Sequence, residues 1–264
     1  MTTPAAPSDP QPRTGHLASG PFTWTEEGEG STTIVAVHGL PGSVRDWRWL
    51  SSALPRTFRF VRLDMPAFGG TPLQTAPGPH LDQRGAFVVA ALDALGINRC
   101  VLVGHSMGGP VALSAAVQSK GRVASLALLA SVGLRPHKLL RAFPGRKAWA
   151  WAMDNAVLKA PSRTILKTAF TMSGFPRSTT KEEVAHTTRC LAVLDFPAQQ
   201  RNTAAWKGPT LSAWADDDTF IEGEVFEEHA AALPAGPRLK WPDGGHNIQK
   251  SKAVELAEAL VSLA

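Results

Sequence analysis

Short apolar runs closed by turn residues recur along the chain, with longer helical patterns between them. Ile34-Val35-Ala36-Val37 runs into His38-Gly39, Phe58 to Asp64 stops at Met65-Pro66, and Cys100-Val101-Leu102-Val103 ends at Gly104. Val123 to Ala130, Thr210 to Ala215 and Arg238 to Trp241 behave likewise, the last closed by Pro242-Asp243-Gly244-Gly245. Such runs read as buried strands. Between them, Leu81 to Leu95 carries Phe87, Val88, Ala91, Leu92 and Leu95 at helical spacing and stops at Gly96. Met107 to Ser119, Phe220 to Leu233 and Ile248 to Leu263 are the other helices expected of this layer. Strand–helix alternation predicts an α/β fold, a mostly parallel sheet with helices on both faces.

Two segments depart from the alternation. Residues 1–20 are rich in Pro, Thr, Ala, Ser and Gln, without a basic head and apolar run, and are expected to be a flexible tail rather than a secretory signal. Residues 133–205 are helical in pattern, rich in Trp, Phe, Leu, Arg and Lys, and punctuated by Pro144, Pro161, Pro176 and Pro197. They are expected to form a helical cap over a core made of 21–132 and 206–264.

Composition adds boundaries. The 264 residues are 44% hydrophobic and 19% charged, enough to build a core and unlike a disordered chain. Two cysteines, Cys100 and Cys190, make neither a disulfide framework nor a C-x-x-C site. They are expected as reduced thiols in a cytoplasmic protein. No apolar stretch reaches the length of a membrane span. The net charge of +5 has one source, since Arg135 to Arg201 holds twelve Lys/Arg against four Asp/Glu. A solvated cap surface, a field for anionic substrates and peripheral contact with a membrane surface are three readings of that excess. No nucleic-acid-binding module accompanies it, so no nucleic-acid partner is expected.

The chemistry gathers at strand ends. Gly104-His105-Ser106-Met107-Gly108-Gly109 is a G-x-S-x-G turn after a strand and before a helix, the setting that lifts a serine hydroxyl to the top of a sheet. The Met107 amide, with that of Leu40 in His38-Gly39-Leu40-Pro41, would form a two-donor oxyanion hole. Ser106 needs a base, and His246 lies on the glycine-rich loop after the last strand, at the same sheet edge. An acid to orient it is expected from Asp216, Asp217 or Asp218, and the spacing alone selects none of the three. His38 and His105 flank this site and are candidate substrate contacts, as are Trp149, Trp151 and Phe170 of the cap. No metal or organic cofactor is called for.

On these residues the chain resembles the α/β-hydrolase superfamily, with its order of serine, acid and histidine. It is similar to the broad group with an H-G-x-P turn (His38 to Pro41), a D-x-P-x-F-G-x-S/T loop (Asp64 to Thr71) and a G-H-S-M-G-G elbow. That group includes carboxylesterases, hydrolases of C–C bonds in meta-cleavage products and cofactor-free haloperoxidase-like esterases. The resemblance implies a cap inserted after the sixth strand. It also implies that the acid is Asp218, since Trp214-Ala215-Asp216-Asp217-Asp218 follows W-G-x-x-D with alanine for glycine. A serine at the elbow speaks against haloalkane dehalogenases and epoxide hydrolases, which carry aspartate there. The expected function is hydrolysis of an ester or related acyl bond of a small, largely apolar molecule. C–C bond hydrolysis and lyase or acyltransferase use of the same three residues are alternatives, and a non-catalytic binding protein is a further one.

Overall fold

In the computed structural model, which describes residues 7, 8, 10–75 and 78–264, the strands are β1 (Arg13–Leu17), β2 (Gly20–Glu27), β3 (Thr32–Val37), β4 (Phe58–Leu63), β5 (Cys100–His105), β6 (Val123–Leu129), β7 (Thr210–Ala215) and β8 (Arg238–Trp241). They form one eight-stranded sheet in the order β1-β2-β4-β3-β5-β6-β7-β8. β1 and β2 are antiparallel to their neighbours, and β4, β3, β5, β6, β7 and β8 pair in parallel.

Side-chain alternation along the strands builds two apolar layers. Ile34 and Ala36 of β3 face the layer that holds Val101, Val103, Ala127 and Leu129, together with Leu50, Leu256 and Leu260. Val35 and Val37 face the other, with Leu102, Leu126, Leu128, Phe87, Val88, Val111 and Ala112. The first layer uses α1 (Arg48–Ala53) and the second α2 (Leu81–Ala94) and α3 (Gly108–Gln118). Buried on both faces, the central strands need the continuous apolar runs seen in the sequence.

The expectation for the N-terminus needs correction. Arg13–Leu17 is not tail but an edge strand, paired from Arg13↔Trp24 to Leu17↔Gly20. Its backbone is ordered by the ladder rather than by apolar side chains, which it largely lacks. Both cysteines are free and buried. No helix among the described residues is long and apolar enough to cross a membrane.

Between β6 and β7 come α4 (Lys138–Ala142), α5 (Arg146–Asp154), α6 (Lys159–Met172), α7 (Lys181–Ala192) and α8 (Phe196–Ala205). Met153, Leu166, Val184 and Ala185 form a small core of their own among α5, α6 and α7, with Phe143, Trp149 and Phe170 packed against it. α8 differs from the rest of the segment 133–205. It packs on α3, and its Gln199 Nε2 donates to the Val132 carbonyl. The expected cap thus gives its last helix to the layered core. After β7 follow α9 (Gly223–Ala232), α10 (Ile248–Ser251) and α11 (Ala253–Leu263); the single helix expected from Ile248 is interrupted at Lys252, whose φ is −124°.

Glu222 ties the start of the helical segment to the loop before α9. It accepts from the Lys138 amide and from Arg141 Nη1, at 2.8 and 2.6 Å. Partial burial opposes ionisation, but hydrogen bonds from Arg141 and from backbone amides outweigh it and bring the carboxyl down to about 2. The folded value lies below the ordinary one, so this stabilisation is complete above the unfolded pKa and is lost as pH falls toward about 2. Melting temperatures of wild type and Glu222→Gln should therefore differ at neutral pH and converge as pH falls below about 4. A gap that stays constant with pH would contradict the assignment.

Candidate active site

The parallel strands end along one edge. β3 runs into His38–Pro41, β4 into Asp64, β5 into Ser106, β7 into Asp216–Asp218 and β8 into the loop that carries His246. The chain leaves β3 toward β4 on one side and leaves β5 toward β6 on the other. A crevice opens at such a switch in direction, at the carboxyl ends of the strands. Ser106 and the His38–Pro41 turn face each other across it.

Ser106 is held at φ +53°, a conformation that L residues rarely adopt. The surroundings enforce it. The Ser106 amide donates to the Leu129 carbonyl, while its own carbonyl accepts from Gly109 and Val132. The approach of α3 to β3 is close enough that a Cβ at Gly108 would lie 2.3 Å from the Val37 carbonyl oxygen. On the opposite wall, a Cβ at Gly39 would meet Ser106 Cβ at 3.0 Å. Larger residues at either place would spread the crevice.

Three side chains meet here. Ser106 Oγ donates to His246 Nε2 at 2.8 Å, and His246 Nδ1–H donates to Asp218 Oδ2 at 2.7 Å. Asp218 is the acid that reaches the imidazole. Its Oδ1 accepts from the Phe220 and Ile221 amides at 2.8 and 3.0 Å, so the carboxylate has no freedom to turn. Burial raises its pKa, yet the His246 contact and the two amides outweigh burial and hold the carboxyl below its ordinary value. The neighbouring acids do other work. Asp217 accepts from the Gly245 amide at 2.7 Å and anchors the loop that carries His246. Asp216 pairs with Lys240 at 3.3 Å on the surface.

The Leu40 and Met107 amides make no hydrogen bond among the described residues. Backbone donors left open in this way are the kind of group that can stabilise an oxyanion.

His38 and His105, expected as substrate contacts, are buried and bonded to backbone. His38 donates from Nδ1 to the Gly39 carbonyl at 2.7 Å and accepts the Met65 amide at Nε2, 3.0 Å. Both ring nitrogens are used, and they join the β3 and β4 loops. His105 donates from Nε2 to the His246 carbonyl at 2.9 Å. It ties the strand that carries Ser106 to the loop that carries His246. Burial brings the pKa of His38 to about 4 and of His105 to about 3, so both rings are neutral near pH 7. The two imidazoles position backbone.

Trp151, another candidate substrate contact, is 64% exposed on α5. Trp149 and Phe170 pack within the small core of the helical segment. Phe170 reaches the site only through others: its ring lies 5.1 Å from Phe175, Phe175 stacks on Phe220 at 5.6 Å, and Phe220 sets its edge against His246 at 5.0 Å. Phe175 and Phe220 were not foreseen. Neither was the holding role of Asp64, which accepts from Thr23 Oγ1, the Val44 amide and the Gly70 amide. The D-x-P-x-F-G motif was its available signal.

The sequence pattern of the alpha/beta hydrolase fold matches residues 32–253. The dihydrolipoyllysine-residue acetyltransferase component of the acetoin cleaving system of Pseudomonas putida is 30% identical over 96% of this chain and 69% of its own length. The component of that name from Cupriavidus necator is 36% identical over 87% of this chain and 63% of its own. The chain thus spans about two thirds of these relatives. Among solved structures, a thermophilic esterase from Thermogutta terrifontis superposes with a TM-score of 0.74 at 21% identity, covering 96% of this chain and 97% of the esterase.

Proposed function

Because the chain belongs to the α/β-hydrolase fold family, we propose that it is a serine hydrolase that cleaves an ester or related acyl bond of a small, largely apolar substrate. The reading is carried by one observation, the continuous hydrogen-bonded line from Asp218 through His246 to Ser106. Each member has the role its contacts suit. His246 Nε2 takes the Ser106 proton as Oγ forms a bond to the substrate carbonyl carbon. Asp218 steadies the imidazolium that results. The Leu40 and Met107 amides hold the tetrahedral oxyanion. Collapse breaks the bond to the leaving group, which receives the proton from His246, and leaves an acyl group on Ser106. Water, deprotonated by His246, then attacks the acyl carbon and frees the acid and the serine hydroxyl.

The test is hydrolysis of 4-nitrophenyl esters of increasing acyl length, with a fluorophosphonate probe beside it. The expected results are turnover with an optimum in chain length, and one covalent label on the protein. Absence of both would refute the proposal.

A second reading has its own basis in the names of the two acetyltransferase-component relatives. In it the acyl group on Ser106 passes to a thiol rather than to water. Adding dihydrolipoamide to the ester assay separates the two: an S-acyl product in place of free acid supports transfer, and unchanged release of acid supports hydrolysis.

A further inference from the structure

Helix α2 buries Leu81, Phe87, Val88, Ala91 and Leu92, and the helical period puts Arg84 on that same stripe, where an apolar side chain belongs. Arg84 is only 2% exposed. Neither its Nη1 nor its Nη2 has a hydrogen-bond partner among the described residues. An unpartnered guanidinium in the interior is costly and is rarely kept without a use. Arginine stays protonated at neutral pH although burial lowers its pKa.

Helix α7 carries two more groups in the same condition. His186 Nδ1 and Thr187 Oγ1 are buried without partners among the described residues. The other nitrogen of His186, Nε2, lies 3.5 Å from Cys190 Sγ. The Arg84 charge acts on His186 and on Cys190, and also on His38 beneath the Ser106 crevice. The Phe68 ring spans the same gap, 5.6 Å from His38 and 5.7 Å from His186. The guanidinium of α2 is thus close enough for its charge to be felt at His186 and Cys190 of α7 and at His38.

We propose that Arg84, with His186, forms a carboxylate-binding subsite between α2 and α7, so that the substrate is an acyl compound with a free carboxylate at one end. The planar fork of the guanidinium matches a carboxylate in two parallel hydrogen bonds. Burial raises the Cys190 pKa and keeps the thiol protonated. Its S–H can donate to His186 Nε2, which leaves the ring hydrogen on Nδ1 as a further donor. A neutral compound of equal length would leave Arg84 unpaired, and buried groups without partners are what make such a site selective.

The placement of this subsite beside the reaction rests on the Ser106 reading, so the test has two arms. The first compares kcat/KM for the 4-nitrophenyl monoester of glutarate with that for 4-nitrophenyl valerate. Wild type should favour the acid, Arg84→Met should lower the acid-to-neutral ratio about 100-fold, and Arg84→Lys should restore part of it. A ratio unmoved in Arg84→Met overturns the subsite. The second arm needs no turnover: calorimetric titration of glutarate into Ser106→Ala, and into the same protein with Arg84→Met. Binding that depends on Arg84 supports the subsite even if no ester is hydrolysed, a result that would overturn only the serine-hydrolase reading. Ester turnover without Arg84-dependent glutarate binding does the reverse. Arg84→Met replaces an unpaired buried charge with an apolar chain of similar length, so its melting temperature should not fall; a steep drop would mark Arg84 as structural and overturn the inference.

Discussion

Ser106→Ala is expected to lower kcat/KM for 4-nitrophenyl esters by about 10⁶-fold, while substrate binding survives. The substitution removes one oxygen and leaves the walls of the crevice intact. Alanine must still adopt φ +53°, so the cost in stability is the one serine already carries. The Leu40 and Met107 amides stay in place, and the residual rate should remain about 10³-fold above the uncatalysed reaction. Purified Ser106→Ala assayed beside wild type checks this, with a melting curve to show that both are folded. A loss under about tenfold would mean that the acyl group is carried elsewhere or that water is activated directly.

Asp218→Asn should cost about 10⁴-fold in kcat. Asparagine keeps the shape and an oxygen for the Phe220 and Ile221 amides. The atom that faces His246 Nδ1 then becomes either an N–H or a neutral oxygen. Either way the charge that steadies the imidazolium is gone, and the tautomer with hydrogen on Nδ1 is no longer fixed. The adjacent acids provide the control. Asp216→Asn breaks an exposed pair with Lys240, which water and salt screen, and should leave kcat unchanged. Asp217→Asn keeps an acceptor for the Gly245 amide and should cost at most about tenfold, since a slightly loosened loop shifts the base by little. Equal losses at 217 and 218 would assign the acid wrongly.

The contrast among these acids shows where sequence reading stops. The parallel strands were legible because burial on both faces demands uninterrupted apolar runs, as in Ile34–Val37 and Cys100–Val103. Ser106 and His246 were legible because glycine-rich turns at strand ends leave few other uses for such residues. Asp218 was selected by resemblance alone, since three consecutive acids look alike until the loop turns one inward and two outward. β1 was missed because an edge strand is held by its ladder and needs little apolar content. The backbone bonds of His38 and His105 were hidden for a related reason: a histidine beside the elbow serine has the same letter whether it faces solvent or is buried against backbone. The Phe175–Phe220 stack and Arg84 belong to contacts between segments far apart in the chain, which no local pattern records.

The two cysteines carry a practical consequence for chemical labelling. Both are buried, and burial pushes the Cys100 thiol to about 12 and raises that of Cys190 as well. Thiolate, the competing nucleophile for most electrophilic reagents, is therefore scarce on the folded chain at neutral pH. A reagent that attacks serine and cysteine alike should attach with a stoichiometry of one, and its site of attachment reports the reactivity of a hydroxyl without any need to block sulfur first.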